Sequence, residues 1–248
     1  MKHSLQFPSD TAGLTVRIGA DRQDLSAAFE LVYQSYIHRG YIARHCGTIV
    51  YRPTFGLPTS RTLVATGPGR EVVGTLTIVG DNPWGFQLET TFAQEVQALR
   101  AHGRSVAEVT CLAIASSARF PLTAIFFALT HFLIHYAHWR QIDDLLLAIH
   151  PKHRRFYWRR FRAVALSACR RHGEVNGNPA ICCRIDLHRL RQVTDPQVWQ
   201  QYYGFEPPTA AFLESPISPE DHHHFCCRAG LELGADSTDG RAWKEHAA

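Results

Sequence analysis

The residue whose setting most clearly calls for chemistry is Glu108. It stands in the segment Val106–Ile114, where Thr110 is the only other polar side chain. An ionised carboxylate among apolar neighbours is costly unless it is paired. It suits a general base, acting directly or through water, or an anchor for a substrate ammonium. A plain salt bridge to an arginine at a sheet edge is the competing reading. A second concentration is cationic. From residue 145 to 173 there is no Asp or Glu, while Lys152, Arg154, Arg155, Arg159, Arg160, Arg162, Arg170 and Arg171 all fall there. Such a face attracts phosphates or an acidic partner. Arg119 lies just before Pro121, which opens an apolar helical pattern. A helix N-terminus favours an anion, so Arg119 is a candidate phosphate contact, against the alternative of a solvated surface arginine.

The other chemistry-bearing groups weigh less. His222, His223, His224, Cys226 and Cys227 crowd together. Adjacent ligands do not readily close a tetrahedron and no second pair stands at zinc-finger spacing, so no metal site is expected. The seven cysteines are irregularly spaced and read as reduced thiols. On a regular strand Glu108, Thr110 and Leu112 share one face, and Val109, Cys111 and Ala113 the other. Cys111 then points away from Glu108 and, with no paired histidine, is not a nucleophile candidate.

These residues need a scaffold. Residues 14–18 read as a short strand and 21–38 as a helix, with Leu25, Ala28, Phe29, Val32 and Tyr36 at helical spacing and Asp21 or Asp24 as its cap. Residues 61–66 and 71–80 form a hairpin around Gly67-Pro68-Gly69. Residues 84–102 contain a helix ended by Gly103, and Val106–Ile114 is a further strand. The Pro121 helix carries Ile125, Phe126 and Leu129, a stripe that suits either an acyl tunnel or plain core. Residues 145–149 form an apolar strand, 152–162 a basic helix, 181–187 a strand, and 190–203 a partly helical stretch around Pro196. This order predicts an α/β fold with a mixed central sheet flanked by helices. Residues 1–205 form the folded domain, and 206–248, rich in Pro, Ser, Asp and Gly, are expected to be a loosely ordered tail. With 45% hydrophobic and 19% charged residues, a net charge of +4, no apolar run of membrane length and no apolar leader, the chain reads as a cytoplasmic globular protein.

Several motifs, in order, resemble one family. The stretch Leu31-Val32-Tyr33-Gln34-Ser35-Tyr36-Ile37-His38-Arg39-Gly40-Tyr41 is similar to the helix that opens the N-acyl amino acid synthases. Val73-Gly74-Thr75-Leu76-Thr77 followed by Asp81-Asn82-Pro83-Trp84-Gly85 resembles their hairpin and substrate loop. Ala107-Glu108-Val109-Thr110-Cys111-Leu112-Ala113 resembles their central strand, and His150-Pro151-Lys152-His153-Arg154-Arg155-Phe156-Tyr157 the start of their penultimate helix. Val175-Asn176-Gly177-Asn178-Pro179-Ala180 is similar to the turn into their last strand.

The resemblance implies a GNAT-like acyltransferase fold, related to that of the acyl-homoserine lactone synthases. It implies a long-chain acyl group carried on acyl carrier protein and passed to the amine of an amino acid, with no bound cofactor. Glu108 is then the base or ammonium anchor, and Tyr157 stands where many GNAT enzymes carry the tyrosine that protonates the leaving thiolate; because Tyr157 and Phe161 share a helix face, simple core packing competes. Backbone N–H groups at Leu112, Ala113 and Ile114 polarise the thioester, provided the strand is bulged. Arg119 meets the pantetheine phosphate, and Tyr33, Tyr36, Thr110 and Trp84 meet the substrates. Helical spacing places Lys152, Arg155, Arg159 and Arg162 near one side, as a docking face for an acidic carrier; a solvated face with no partner, or arginines paired with distant acids, is the competing reading. The sequence departs from the pattern twice. Ser116-Ser117-Ala118-Arg119-Phe120-Pro121 lacks the glycines of a coenzyme A cradle, which favours a carrier-protein donor over acyl-CoA, and Cys111 replaces the basic residue expected after Thr110. A nucleic-acid reading competes, because Phe156, Tyr157 and Trp158 interleave with arginines and suit base stacking. The confinement of basic residues to one segment weighs against it.

Overall fold

The computed structural model describes residues 5–6, 13–45, 47–213 and 215–231. Nine strands are described, in the order β1-β2-β3-β4-β5-β6-β9-β7, with β8 added to β9 outside this path. Strands β1 (Leu5–Gln6), β2 (Thr15–Ile18), β3 (Ser60–Thr66), β4 (Val72–Gly80) and β5 (Val106–Ile114) pair antiparallel in succession. Helix α3 (Leu122–Trp139) then crosses the sheet, so β6 (Asp144–Ile149) runs parallel to β5, as a crossover connection requires. Strand β9 (Asn178–Asp186) returns antiparallel to β6.

Each face is covered by the helices whose apolar spacing calls for it. Helix α1 (Arg22–His38) starts where the Asp21 side chain accepts from the Asp24 N–H at 2.9 Å. It buries Leu25, Ala28, Phe29 and Val32 beside Phe92, Val96 and Leu99 of α2 (Glu89–Ala101). The opposite face takes Ile125, Leu129, Phe132 and Leu133 of α3. Gly74 of β4 allows the close approach of α3: a Cβ there would lie 2.5 Å from Ile125 Cγ2. Leu146 packs toward α1 and α2 while Leu145 and Leu147 pack toward α3, so β6 is apolar on both sides because both are covered.

The contact between β5 and β6 is short, and this creates the site. They pair only from Val106 to Glu108 against Asp144 to Leu146. At that closed end Asp144 is fully buried, and its carboxylate accepts from Arg104 at 2.7 and 2.9 Å and from Arg184 at 2.7 Å. A buried carboxylate is tolerable only when so satisfied, and these bonds tie β6 to the segment before β5 and to β9. Past Glu108, β5 continues against β4 and β6 against β9, and the two part.

Three expectations change. The stretch after the basic helix holds the short strands β7 (Val164–Ala165) and β8 (Arg170–His172). The basic helix itself is a 3-10 turn followed by α4 (Arg154–Phe161). After α5 (Leu187–Val193) and α6 (Pro196–Tyr203), the described part of the region expected to be loose is folded. Phe212 packs on Phe132 at 5.3 Å between ring centres, and α7 (Pro219–Arg228) buries Phe225 completely against Phe29 and Tyr51. Pro and Ser there act as helix starters, with Ser218 as the cap of α7. Residues 232–248 lie outside the described residues. No helix is long and apolar enough to cross a membrane among the described residues.

Candidate active site

A cavity of about 720 Å³ runs through the gap between β5 and β6. On the α3 side its walls are apolar: Val109, Leu112, Phe126, Leu133, Ile134 and Leu147, with the Thr130 hydroxyl turned back onto the Phe126 carbonyl at 2.9 Å. On the α1 side they are polar: Tyr36, Arg39, Arg52, Gln87, Glu108, His172 and Glu174. The sheet thus carries an apolar space and a charged space joined at the middle of β5.

Strand β5 is bulged at that junction. Thr110 faces Thr77 and Ala113 faces Thr75, so Cys111 and Leu112 together oppose Leu76. Cys111 takes up the extra residue with a φ of 54°, in the left-handed region that costs a side-chain-bearing residue energy. The bulge overturns the regular alternation. Cys111 and Ala113 pack toward α1 and α2, and Leu112 joins Val109 toward α3. Cys111 therefore lies on the side of Glu108 and borders the cavity next to Tyr36. Burial pushes its thiol up to about 12, which keeps it protonated and a poor nucleophile.

Glu108 is 4% exposed, and its carboxylate accepts from the backbone N–H of Gln87 at 2.8 Å and of Leu88 at 3.2 Å. No arginine pairs with it among the described residues, so the salt-bridge alternative does not hold. Burial raises its carboxyl to about 8, outweighing the two backbone bonds that lower it, while Glu174 and Glu89 push it further up. Gln87 also donates its side-chain amide to Glu174 at 2.7 Å, and Glu174 pairs with Arg52. A carboxyl pushed up by burial thus shares its wall of the cavity with the Glu174–Arg52 pair.

Tyr157 of α4 also borders the cavity, half-buried beside Phe126 and Phe161. Burial lifts its phenol to about 12, so it holds its proton through the neutral range. Thr110, Tyr36, Leu112 and Lys152 line the same space. Ala113 and Ile114 continue β5 without lining it. Tyr33 bonds His45 instead, with its hydroxyl 3.1 Å from the carbonyl oxygen. Trp84 is 49% exposed and outside the lining, and Arg119 is exposed over the Phe120 ring. Of the tunnel stripe, Phe126 lines the cavity, while Ile125 and Leu129 are core. Arg155 and Arg159 are exposed on α4, and Arg162 follows it in a left-handed cap over Trp158. Arg160 is the exception in the run, stacked at 4.0 and 3.9 Å on Phe127 and Tyr202. Arg170 is likewise committed, to Glu95 at 2.6 Å. His222 hydrogen-bonds the Tyr51 hydroxyl at 2.7 Å, fastening α7. The sequence reading missed Arg39, Arg52, Gln87, His172 and Glu174, which distant segments bring to one wall. The charge of Glu174 just beyond an acid-free stretch was the one available signal.

Comparison with known proteins agrees with this architecture. The family model for FeeM, N-acyl amino acid synthase, matches residues 27–186. The solved structure of FeeM, an N-acyl amino acid synthase from uncultured soil microbes, is 25% identical, covering 73% of this chain and 94% of its own, with a TM-score of 0.64. The acyl-homoserine lactone synthase LasI is 18% identical over 78% of this chain and 96% of its own, at a TM-score of 0.58. BjaI, a CoA-dependent acyl-homoserine lactone synthase solved with SAM and isopentyl-CoA, is 13% identical over 86% and 99%, at 0.55. These two share the fold. None of the curated proteins compared with the sequence matches it. An open, mostly antiparallel sheet with helices on both faces, parted at a bulged central strand, is the fold of the GNAT N-acyltransferases. The chain is an acyltransferase and belongs to the FeeM family of N-acyl amino acid synthases.

Proposed function

We propose that the enzyme transfers a long-chain fatty acyl group from the thioester of acyl carrier protein to the amino group of a free amino acid. The observation that carries this reading is the two-sided cavity. Its apolar side suits an aliphatic chain, and its other side offers Glu108 and Glu174 to an ammonium and Arg39 and Arg52 to a carboxylate. The reacting atoms then meet at the β5 bulge, where the backbone N–H of Leu112, which borders the cavity, is suited to the developing oxyanion. Glu108 takes a proton from the amine as the N–C bond forms, and Tyr157 supplies one to the departing sulfur. Tyr36 and Thr110 shape the acceptor wall.

The exposed surface supports a carrier-protein donor. Lys152, Arg155, Arg159 and Arg162 are exposed and form no ion pair among the described residues, as a docking face for an acidic carrier requires. Arg119, outside the cavity at the start of α3, suits the pantetheine phosphate at the rim. The setting we infer is the cytoplasm, in keeping with the six free cysteines described.

The test gives purified enzyme matched acyl-carrier and acyl-CoA donors with a pool of amino acids. Faster amide formation from the carrier is expected. Faster turnover with acyl-CoA overturns the donor assignment, and no amide from either donor overturns the reading.

A further inference from the structure

We propose that His172 is a second proton acceptor of the reaction, taking one of the two protons that the acceptor ammonium must lose. The inference rests on the acyl-transfer reading above. In R–CO–S–carrier + ⁺H₃N–R′ → R–CO–NH–R′ + HS–carrier + H⁺, the N–C bond forms, the C–S bond breaks and nothing is oxidised. The nitrogen gives up two protons. The sulfur takes one, by way of Tyr157, and the other must reach solvent. Glu108, the acceptor already assigned, holds one proton at a time.

His172 has the position for the other. It lies on β8, which pairs with β9 outside the main strand order and brings the ring to the cavity wall. The residue is 5% exposed, and its Nδ1 is 2.8 Å from the Thr91 hydroxyl of α2, one turn beyond Gln87, which holds both Glu108 and Glu174. In the tautomer the proposal requires, Nδ1–H donates to the Thr91 hydroxyl, and Nε2 is the free nitrogen with an open lone pair. It has no hydrogen-bond partner among the described residues, and it is not among the fully enclosed polar atoms left unsatisfied. A merely structural buried histidine normally satisfies both nitrogens.

The charged groups around the ring support proton uptake. Glu174 follows two residues later and is held by Arg52, Glu108 stands on the same cavity wall, and Glu95 of α2 is held by Arg170, while Arg171 of the same strand is exposed. Burial lowers the His172 pKa below the ordinary histidine value and Glu174 offsets part of this. The lowered pKa favours the neutral ring, which can accept a proton and give it up again. Glu174 compensates the transient imidazolium.

The test uses the whole enzyme with an acyl-pantetheine donor, which has no protein to dock, and amide formation as the readout. For wild type, kcat/KM is expected to fall in two steps on acidification, an upper one near 8 from Glu108 and a lower one below the ordinary histidine range. His172→Gln, whose amide still reaches Thr91, should lose the lower step and at least roughly tenfold in kcat. His172→Ala should be partly restored by added imidazole. A two-step profile and full kcat in His172→Gln overturn the proposal. So does a loss in His172→Ala that imidazole leaves untouched while His172→Gln keeps both steps, since that is a structural role. If wild type itself forms no amide, the acyl-transfer reading fails. If it does and His172 variants match it, only this inference fails.

Discussion

At the scale of single residues, Glu108 combines two jobs that its neighbours make compatible. Its carboxylate closes the start of α2 by accepting two backbone N–H bonds, and its burial brings its titration to about 8. Glu108→Gln keeps the size but offers one acceptor oxygen, leaving one N–H unsatisfied at a cost of about 1–3 kcal/mol. Turnover should fall roughly 10²-fold or more. Loss of the pH step near 8 should accompany it; near-normal turnover with that step intact would make the residue purely structural. Stability carries a second sign. A carboxyl raised above its value of 4.5 in the unfolded chain binds its proton more tightly when folded, so its contribution is present at low pH and lost as pH rises through about 8. Denaturant titrations from pH 5 to 9 should show that slope in the wild type and a flatter one in Glu108→Gln. The importance of Glu108 was legible in the sequence, because a lone acid in an apolar strand needs a partner. The partner was not, since backbone N–H groups of a loop 20 residues away leave no mark in residue types.

At the scale of elements, the period-2 and period-3.6 patterns located α1, the hairpin, β5, α3 and β6 because each buries a whole face or stripe. They failed where an element is short or carries polar residues. Strand β8, Arg170–His172, is polar throughout and held by Arg170 to Glu95, so no alternation signals it. The bulge in β5 escaped for a related reason: it is set by the register against β4, and Cys111 is not a residue type that announces a left-handed φ. The basic run was visible, but only folding separates its roles, with Arg160 stacked on aromatic rings and Arg155 and Arg159 left free on the surface. Reversing that free charge tests docking. Arg155→Glu with Arg159→Glu should raise the apparent KM for acyl carrier protein roughly tenfold or more and weaken its dependence on salt. With a pantetheine thioester the same variant should match wild type. Equal losses on both donors would assign the helix to folding or chemistry instead.

At the scale of the whole molecule, the C-terminal stretch completes the layer over α1. Composition rich in Pro, Ser and Asp suggested a loose tail, yet in α7 those residues start and cap a helix whose one large apolar side chain, Phe225, is fully buried. Phe225→Ala should cost roughly 3–5 kcal/mol and lower Tm on the order of 10 °C, measured by thermal denaturation. An unchanged Tm would mean that α7 adds nothing to the core. The larger design is a sheet that parts at one bulged strand; in the function we propose, an aliphatic chain and a charged acceptor approach the same atoms from opposite faces. A single experiment addresses that claim. Enzyme, acyl carrier protein loaded with ¹³C-labelled long-chain acyl groups and a pool of ¹⁵N-labelled amino acids are mixed, and the lipid extract is analysed by mass spectrometry. The account predicts a product carrying both labels, an amide of the intact acyl chain with one or a few of the amino acids. Release of the labelled fatty acid with no doubly labelled amide would contradict it.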